Sequence, residues 1–166
     1  MLKKYSLGLF LVLIFAAQSN FAQQKRFLTH ADYDGWESLS SEKITKNGQF
    51  VGYQISPQDG DSRLEIFPFS KPTSKTVIPR GIGFAFSPDD AFAVGKIAPQ
   101  KDSVRVLKLK KKKADDLPKD SLCILQLSSG KIEKLPRVKS FAIPTEQGSW
   151  IAVHFEKDLP KKADPA

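Results

Sequence analysis

The stretch that decides the fold is Phe84-Ala-Phe-Ser-Pro-Asp-Asp-Ala-Phe-Ala-Val-Gly-Lys-Ile97. Its centre, Ser87 to Asp90, has the chemistry of a tight turn, because proline presets one corner and aspartate side chains can hydrogen-bond their own backbone. After the turn, Phe92, Val94 and Lys96 alternate with Ala93, Gly95 and Ile97, which is the two-residue period of a strand. The stretch therefore predicts strand, turn and strand.

The same phrase recurs along the chain. Ile44-Thr-Lys-Asn-Gly-Gln-Phe50 aligns with Phe86-Ser-Pro-Asp-Asp-Ala-Phe92, so Phe50 and Phe92 are 42 positions apart. Ile143-Pro-Thr-Glu-Gln-Gly-Ser-Trp150 is a third copy with one extra residue. Each copy joins an apolar residue, a polar turn and an aromatic that opens a strand. We therefore expect Phe50, Phe92 and Trp150 to be equivalent core anchors.

A second phrase also recurs, and in the same order relative to the first. Leu64–Phe69 followed by Lys75–Arg80 resembles Leu122–Leu127 followed by Ile132–Arg137, and both pairs end in Pro-Arg. Two hairpins in roughly 40 residues indicate one four-stranded blade of a β-propeller. A plain β-sandwich also places turns every 8–12 residues or so, but the matched order of both phrases favours the propeller.

The predicted fold class is all-β, an incomplete β-propeller of about two and a half four-stranded blades after a short N-terminal lead-in helix. The lead-in covers residues 23–42, where Thr29 can cap the helix and Tyr33 and Trp36 share a face. The propeller covers residues 43–157. Its predicted strands are at roughly 49–56, 63–69, 74–79, 82–87, 91–98, 103–109, 121–127, 131–136, 139–143 and 149–156.

Both ends of the sequence have compositions unlike the repeats. Residues 1–22 combine Lys3 and Lys4 with an uncharged apolar run over 7–17, which predicts a signal peptide and hence a periplasmic or extracellular protein. An uncleaved anchor is the alternative, although the run is shorter than the roughly 20 apolar residues of a membrane span. Residues 158–166 are charged and contain two prolines, as in a linker or insertion. Because this tail is not a strand and a propeller ring needs four to eight blades, we expect a segment of a longer protein.

Charge is concentrated in one segment of the chain. The 166 residues carry 26 Lys and Arg against 18 Asp and Glu, a net charge of +8. A basic insertion at about 101–120 holds Lys110–Lys113 and reads as a solvated hairpin extension or loop. The alternative is a surface that adheres to anionic partners through these lysines. No aromatics are interleaved for base stacking, so we expect no nucleic-acid partner.

We find no catalytic, cofactor-binding or metal-binding residue in the sequence. Ser62 lies in a Gly-x-Ser segment in which Leu64 replaces the second glycine of a nucleophile elbow. His30 and His154 read as structural and surface histidines, and Cys123, the sole cysteine, as a buried thiol. The remaining carboxylates read as turn or loop residues, with Asp59-Gly-Asp61 only a fragment of a calcium loop. The other pairs are Asp89-Asp90 and Asp115-Asp116.

The blade phrase at 86–92 resembles that of exported prolyl oligopeptidase-family serine peptidases and of Tol-type periplasmic propellers. Three further segments, Leu28–Trp36, Lys110–Leu122 and Pro136–Ser140, make the chain similar to the N-terminal portion of secreted bacterial enzymes of the prolyl oligopeptidase type. The resemblance spans residues 28–157.

The resemblance implies a two-part enzyme in which a downstream α/β-hydrolase domain carries the Ser-Asp-His triad. The propeller would cover the active site and admit only peptides. No catalytic residue of such an enzyme maps onto this sequence, and no membrane anchor is expected to persist after signal cleavage. The alternative is a stand-alone periplasmic propeller-type binding protein without enzymatic activity.

Overall fold

The computed structural model describes residues 26–157. The predicted signal peptide and the predicted linker at 158–166 lie outside the described residues. Residues 26–30 belong to one compact unit and those from Ala31 onward to another. The chain is mainly antiparallel β-structure, as the sequence predicts. Within the described part, no helix is long and apolar enough to cross a membrane.

Between residues 26 and 157, ten strands form three sheets in which successive strands pair. Sheet 1 contains β1 (Glu37–Ile44), β2 (Phe50–Pro57), β3 (Arg63–Pro68) and β4 (Thr76–Pro79). Sheet 2 contains β5 (Gly81–Phe86), β6 (Phe92–Ile97), β7 (Ser121–Gln126) and β8 (Ile132–Leu135). Sheet 3 contains β9 (Val138–Ala142) and β10 (Ala152–Phe155). Two α-helices, α1 (His30–Asp34) and α2 (Lys101–Leu109), and a 3₁₀ turn at Ala114–Asp116 complete the described part.

The core consists of two layers, one on each face of sheet 2. On one face, Ala93, Cys123 and Leu125 pack with Leu64 and Ile66 of sheet 1. On the other face, Val94 and Leu122 pack with residues of sheet 3, including Val138 and Phe141. Neighbouring residues of a strand point to opposite faces of the sheet. Since both faces of β6 and β7 meet a core layer, these strands are apolar on both sides.

Close approach of sheets 1 and 2 depends on small residues. A Cβ on Gly81 would lie 2.6 Å from Leu64 Cγ, and one on Gly52 would lie 2.8 Å from the Phe84 ring. Leu64 is fully buried, as is Leu122 at the matching position of sheet 2. Leu64 therefore fills the space that the missing side chain of Gly81 leaves between the sheets.

The first predicted repeat is present in the first two sheets. The hydroxyl of Thr45 accepts the N–H of Phe50 at 2.9 Å, and the hydroxyl of Ser87 accepts the N–H of Phe92 at 3.0 Å. The fourth residue of each turn, Gly48 or Asp90, has a positive φ of 70° or 57°. The turns thus have the same geometry 42 residues apart.

The Pro-Arg repeat is also present, at the points where one sheet passes into the next. Arg80 and Arg137 have positive φ angles of 59° and 58°. The carbonyl of Arg80 accepts the N–H of Ala98 at 2.9 Å, and that of Arg137 accepts the N–H of Glu156 at 2.8 Å. Each arginine therefore links the start of a new sheet to the end of its second strand.

Trp150 does not match Phe50 and Phe92, so its prediction as an equivalent core anchor is wrong. Phe50 and Phe92 open β2 and β6 and are half-buried, whereas Trp150 precedes β10 and is 58% exposed. Its indole lies against Gly148, since a Cβ there would meet Nε1 at 2.9 Å. The extra residue of the third turn shifts the register, and Ile151 packs against the core instead.

The strand predicted at 103–109 is wrong, because this segment forms helix α2. Val104 and Leu107 are half-buried and three residues apart, the spacing of one helix face. No place remains for a strand beside β6, because β5 and β7 pair with its two edges. β1 was also missed, since its eight residues are almost all exposed and lack a buried alternate face.

Candidate functional site

A cleft of about 440 Å³ with a partly apolar lining lies where helix α2 crosses the edge shared by sheets 1 and 2. We call it the basic cleft. The β2–β3 loop forms one wall, the β4–β5 junction and the end of β6 form the floor, and α2 forms the other wall. Its lining is Gly60, Asp61, Ser62, Arg80, Ile82, Ala98, Pro99, Lys101, Val104, Arg105 and Lys108.

Two carboxylates of the β2–β3 loop hold α2 in place. Asp61 Oδ1 accepts the backbone N–H of Lys101 at 2.8 Å, at the helix end where N–H groups lack intrahelical partners. Asp59 pairs with the side chains of Lys101 at 2.5 Å and Arg105 at 3.0 Å. Hydrogen bonds from these two cations, that of Lys101 above all, lower the pKa of Asp59 below its ordinary value. The Asp59-Gly-Asp61 turn is thus a docking point for a helix.

Four cationic side chains line the basic cleft, against the single carboxylate of Asp61. Lys101 and Arg105 are engaged by Asp59. The side chains of Arg80 and Lys108 form no ion pair or hydrogen bond with any residue between 26 and 157. The cleft therefore offers an uncommitted guanidinium and an uncommitted ammonium group to an anion.

Arg80 is placed centrally among the concavities of this edge. Besides the basic cleft, it lines a second cleft of about 530 Å³ with Asp61 and Ser62, and a third of about 270 Å³ with Ser103 and Lys119. Its backbone is fixed by the positive φ and by the hydrogen bond to Ala98. An arginine fixed at its base and free at its tip suits recognition of a carboxylate or phosphate.

A second polar cluster covers the face of sheet 1 that points away from sheet 2. Glu65 is buried and accepts hydrogen bonds from Lys75 at 2.9 Å, Arg63 at 2.9 Å and Tyr53 at 3.0 Å. These partners, Lys75 first, lower the pKa of Glu65 to about 2. Arg63 also forms a bidentate pair with Glu37. Because these charges satisfy one another, the cluster stabilises the sheet and offers no reactive group.

A third cluster joins the three hairpin turns. The carboxylate of Asp90 accepts the N–H groups of Lys46 at 2.9 Å and Asn47 at 2.8 Å. Asp89 accepts the hydroxyl of Ser149 at 2.6 Å, which is the main cause of its lowered pKa. The Asp89-Asp90 pair therefore links turns of consecutive sheets, in agreement with its interpretation as turn carboxylates.

The other singled-out residues do not meet in one site. Ser62 Oγ shares a 2.9 Å hydrogen bond with Ser56 Oγ, and no histidine lines the basic cleft. His154 is exposed on β10, and Asp115 and Asp116 are exposed in the 3₁₀ turn. Cys123 is buried, which raises the pKa of its thiol. In the described ranges, no three His, Cys, Asp or Glu residues are placed to hold a metal ion.

The sequence did not indicate the basic cleft. Its residues come from the segments 60–62, 80–82 and 98–108, which are brought together only when sheets 1 and 2 stack. The Pro-Arg phrase was the available signal, because its arginine recurs at a junction between sheets. The chain matches no family model, and no curated protein or solved structure matches it.

Proposed function

We propose that this chain is the non-catalytic N-terminal propeller segment of an exported prolyl oligopeptidase-type serine peptidase. The observation that carries the proposal is the pair of consecutive four-stranded meanders with matching turns at Thr45 and Ser87. Stacked four-stranded antiparallel sheets are the building units of a propeller. The β9–β10 hairpin packs against sheet 2, and in this proposal it is the first half of a third blade.

In this proposal peptide hydrolysis belongs to a C-terminal α/β-hydrolase domain. There a histidine would activate the serine nucleophile, and backbone N–H groups would stabilise the oxyanion. The chain described here would contribute the wall that covers the active site and limits access to peptides.

The alternative is a stand-alone periplasmic propeller-type binding protein. The basic cleft favours this second function, because it is a ligand-sized concavity with two uncommitted cations. Concave sites of roughly 300–1,000 Å³ with a few polar groups are typical of small-ligand binding. Both functions use the same fold, and they differ in whether a hydrolase is joined to it.

Labelling in the source cells separates the two functions. An antibody raised against this chain would identify the native protein in periplasmic and extracellular fractions, and a serine-reactive fluorophosphonate probe would label any joined hydrolase. We expect one band, several times heavier than this chain, to carry both signals. A recognised band of the chain's own mass without probe label would contradict the peptidase and support the binding protein.

A further inference from the structure

The basic cleft combines uncommitted positive charge with an apolar wall. Arg80 and Lys108 are without partners in the described part of the chain, and the lining also contains Ile82, Ala98 and Val104. A ligand that uses both features carries an anionic group next to an apolar one. We propose that the basic cleft binds the C-terminal carboxylate of a peptide whose last side chain is apolar.

The charge arrangement favours a peptide terminus over a free amino acid. A free amino acid carries an ammonium group two bonds from its carboxylate, and this group would lie among the cations of Arg80, Lys101, Arg105 and Lys108. Like charges at such distances repel. A peptide has an uncharged amide at that position, so its carboxylate can approach Arg80 without the penalty.

The apolar wall favours a peptide over inorganic or nucleic-acid anions. An inorganic phosphate would leave Ile82 and Val104 in contact with water, whereas an apolar terminal side chain would cover them. Single-stranded nucleic acid binds through aromatic side chains that stack on bases, and no aromatic residue lines this cleft. Carboxylate recognition by arginine is geometrically specific, because two N–H groups meet two oxygens.

The site is held in place before a ligand arrives. Asp61 fixes the first N–H of α2, and Asp59 fixes the side chains of Lys101 and Arg105. Arg80 is fixed through its carbonyl, which accepts the Ala98 N–H. Binding therefore orders the tips of the Arg80 and Lys108 side chains on a backbone that is already fixed, which limits the loss of conformational freedom. The inference stands on the cleft alone and does not depend on the proposed peptidase.

The test uses the full chain and isothermal titration calorimetry with two N-acetylated peptides of sequence Gly-Gly-Ala-Ala-Leu, one a free acid and one a C-terminal amide. We expect the acid to bind at least about tenfold more tightly, because its carboxylate forms charge-assisted hydrogen bonds, which are stronger than those of a neutral amide. Inorganic phosphate should bind more weakly than the acid. Equal affinity for acid and amide, or tighter binding of phosphate, would overturn the proposal.

Three variants locate the site. Arg80→Gln and Lys108→Gln should each weaken binding of the acid by about tenfold or more. Asp61→Asn should tighten it several-fold, because the charge is lost while the amide oxygen can still accept the Lys101 N–H. This gain distinguishes a carboxylate site from structural damage, which only weakens binding. If Arg80→Gln does not fold, the test relies on the affinities of two other variants for the acid. These are Lys108→Gln, on the exposed surface of the helix, and Asp61→Asn.

The matched control is Lys131→Gln, at an exposed position in the β7–β8 turn, which changes the net charge by the same amount. We expect it to leave the affinity for the acid unchanged. A loss equal to that of Lys108→Gln would show that general electrostatic attraction accounts for binding, and this would overturn the assignment. Weaker binding of the acid by Asp61→Asn than by the wild type would also overturn the assignment.

Discussion

Thr45 and Ser87 form the same pair of hydrogen bonds in the turns of two consecutive sheets. Each buried hydroxyl accepts the N–H of the aromatic residue five positions later, and each backbone N–H donates to the carbonyl of that aromatic. Neither residue stands out by its type, since serine and threonine are common in turns. The shared geometry shows that the 42-residue spacing in the sequence is a repeat in space.

The hydroxyl of Ser87 should matter for stability. Ser87→Ala removes the acceptor of the Ala91 and Phe92 N–H groups, which lie at 3.1 and 3.0 Å. The Ala91 N–H keeps a bond to Asp89 Oδ1 at 3.3 Å, so the partly buried Phe92 N–H bears the main loss. A buried donor without a partner costs about 1–3 kcal/mol, and the free energy of unfolding should fall by an amount near the lower end of that range. Urea denaturation measures it. Ser87→Thr is the control, because threonine fills this role at position 45, and an equal loss for both variants would contradict the account.

The aromatic anchors should separate into two classes. Phe50→Ala and Phe92→Ala should each lower the free energy of unfolding by about 2–4 kcal/mol, somewhat below the cost of a fully buried phenylalanine. Trp150→Ala should cost less than about 1 kcal/mol, because the side chain is largely exposed. Chemical denaturation of the three variants tests this order. If Trp150→Ala lowers the free energy of unfolding as much as Phe92→Ala does, Trp150 is an equivalent core anchor and this account is contradicted.

Local patterns predicted most of the strands but failed where topology decides. Alternation and turn residues placed β2 through β9 within a few residues, because one face or both of these strands meet a core. The segment 103–109 also alternates in part. It cannot pair with β6, because β5 and β7 already occupy both edges of that strand. The sequence did not predict β1, because almost all side chains of Glu37–Ile44 are exposed to water and no apolar alternation marks a buried face.

The basic cleft was beyond prediction for a different reason. Asp59, Arg80 and Lys108 are distant in sequence, and only the stacking of two sheets brings their elements to one edge. The sequence indicated that Lys110–Lys113 held the notable charge, but the cleft uses lysines and arginines before that run. The buried thiol at Cys123 was predictable from its apolar strand and is confirmed.

Glu65 should make stability depend on pH in acid. Its folded pKa of about 2 is below an ordinary glutamate value of about 4.3, so its stabilising effect is complete above pH 4.3 and is lost as pH falls towards 2. The shift corresponds to roughly 3 kcal/mol. Unfolding at pH 6 and pH 3 measures the loss. Glu65→Gln should reduce this loss, whereas Glu133→Gln on exposed β8 should retain it.

An equal pH dependence in wild type and Glu65→Gln would contradict this account of the sheet 1 cluster. Such a result would mean that Lys75 and Arg63 do not hold the carboxylate in its charged form. Glu65→Gln and its control Glu133→Gln change the net charge by the same amount, so the comparison isolates the buried position.

Asp59 should control the docking of α2. Asp59→Asn removes the charge that pairs with Lys101 and Arg105, so hydrogen–deuterium exchange of the helix amides should become faster. Asp102→Asn is the control, because Asp102 is more exposed and lies 3.7 Å from Arg105. We expect the control to exchange at nearly the wild-type rate. Unchanged exchange in Asp59→Asn would show that the apolar contacts of Val104 and Leu107 suffice.

The fold depends above all on the stacking of one four-stranded sheet upon the next. The most direct measurement is a nuclear Overhauser effect between the Hα protons of Gly52 in sheet 1 and the ring of Phe84 in sheet 2. We predict a strong cross-peak, because a Cβ at Gly52 would lie 2.8 Å from the ring. Its absence, while cross-strand peaks between Gly52 and Ile66 are present, would show that the sheets form without stacking and would contradict the close packing of sheets 1 and 2.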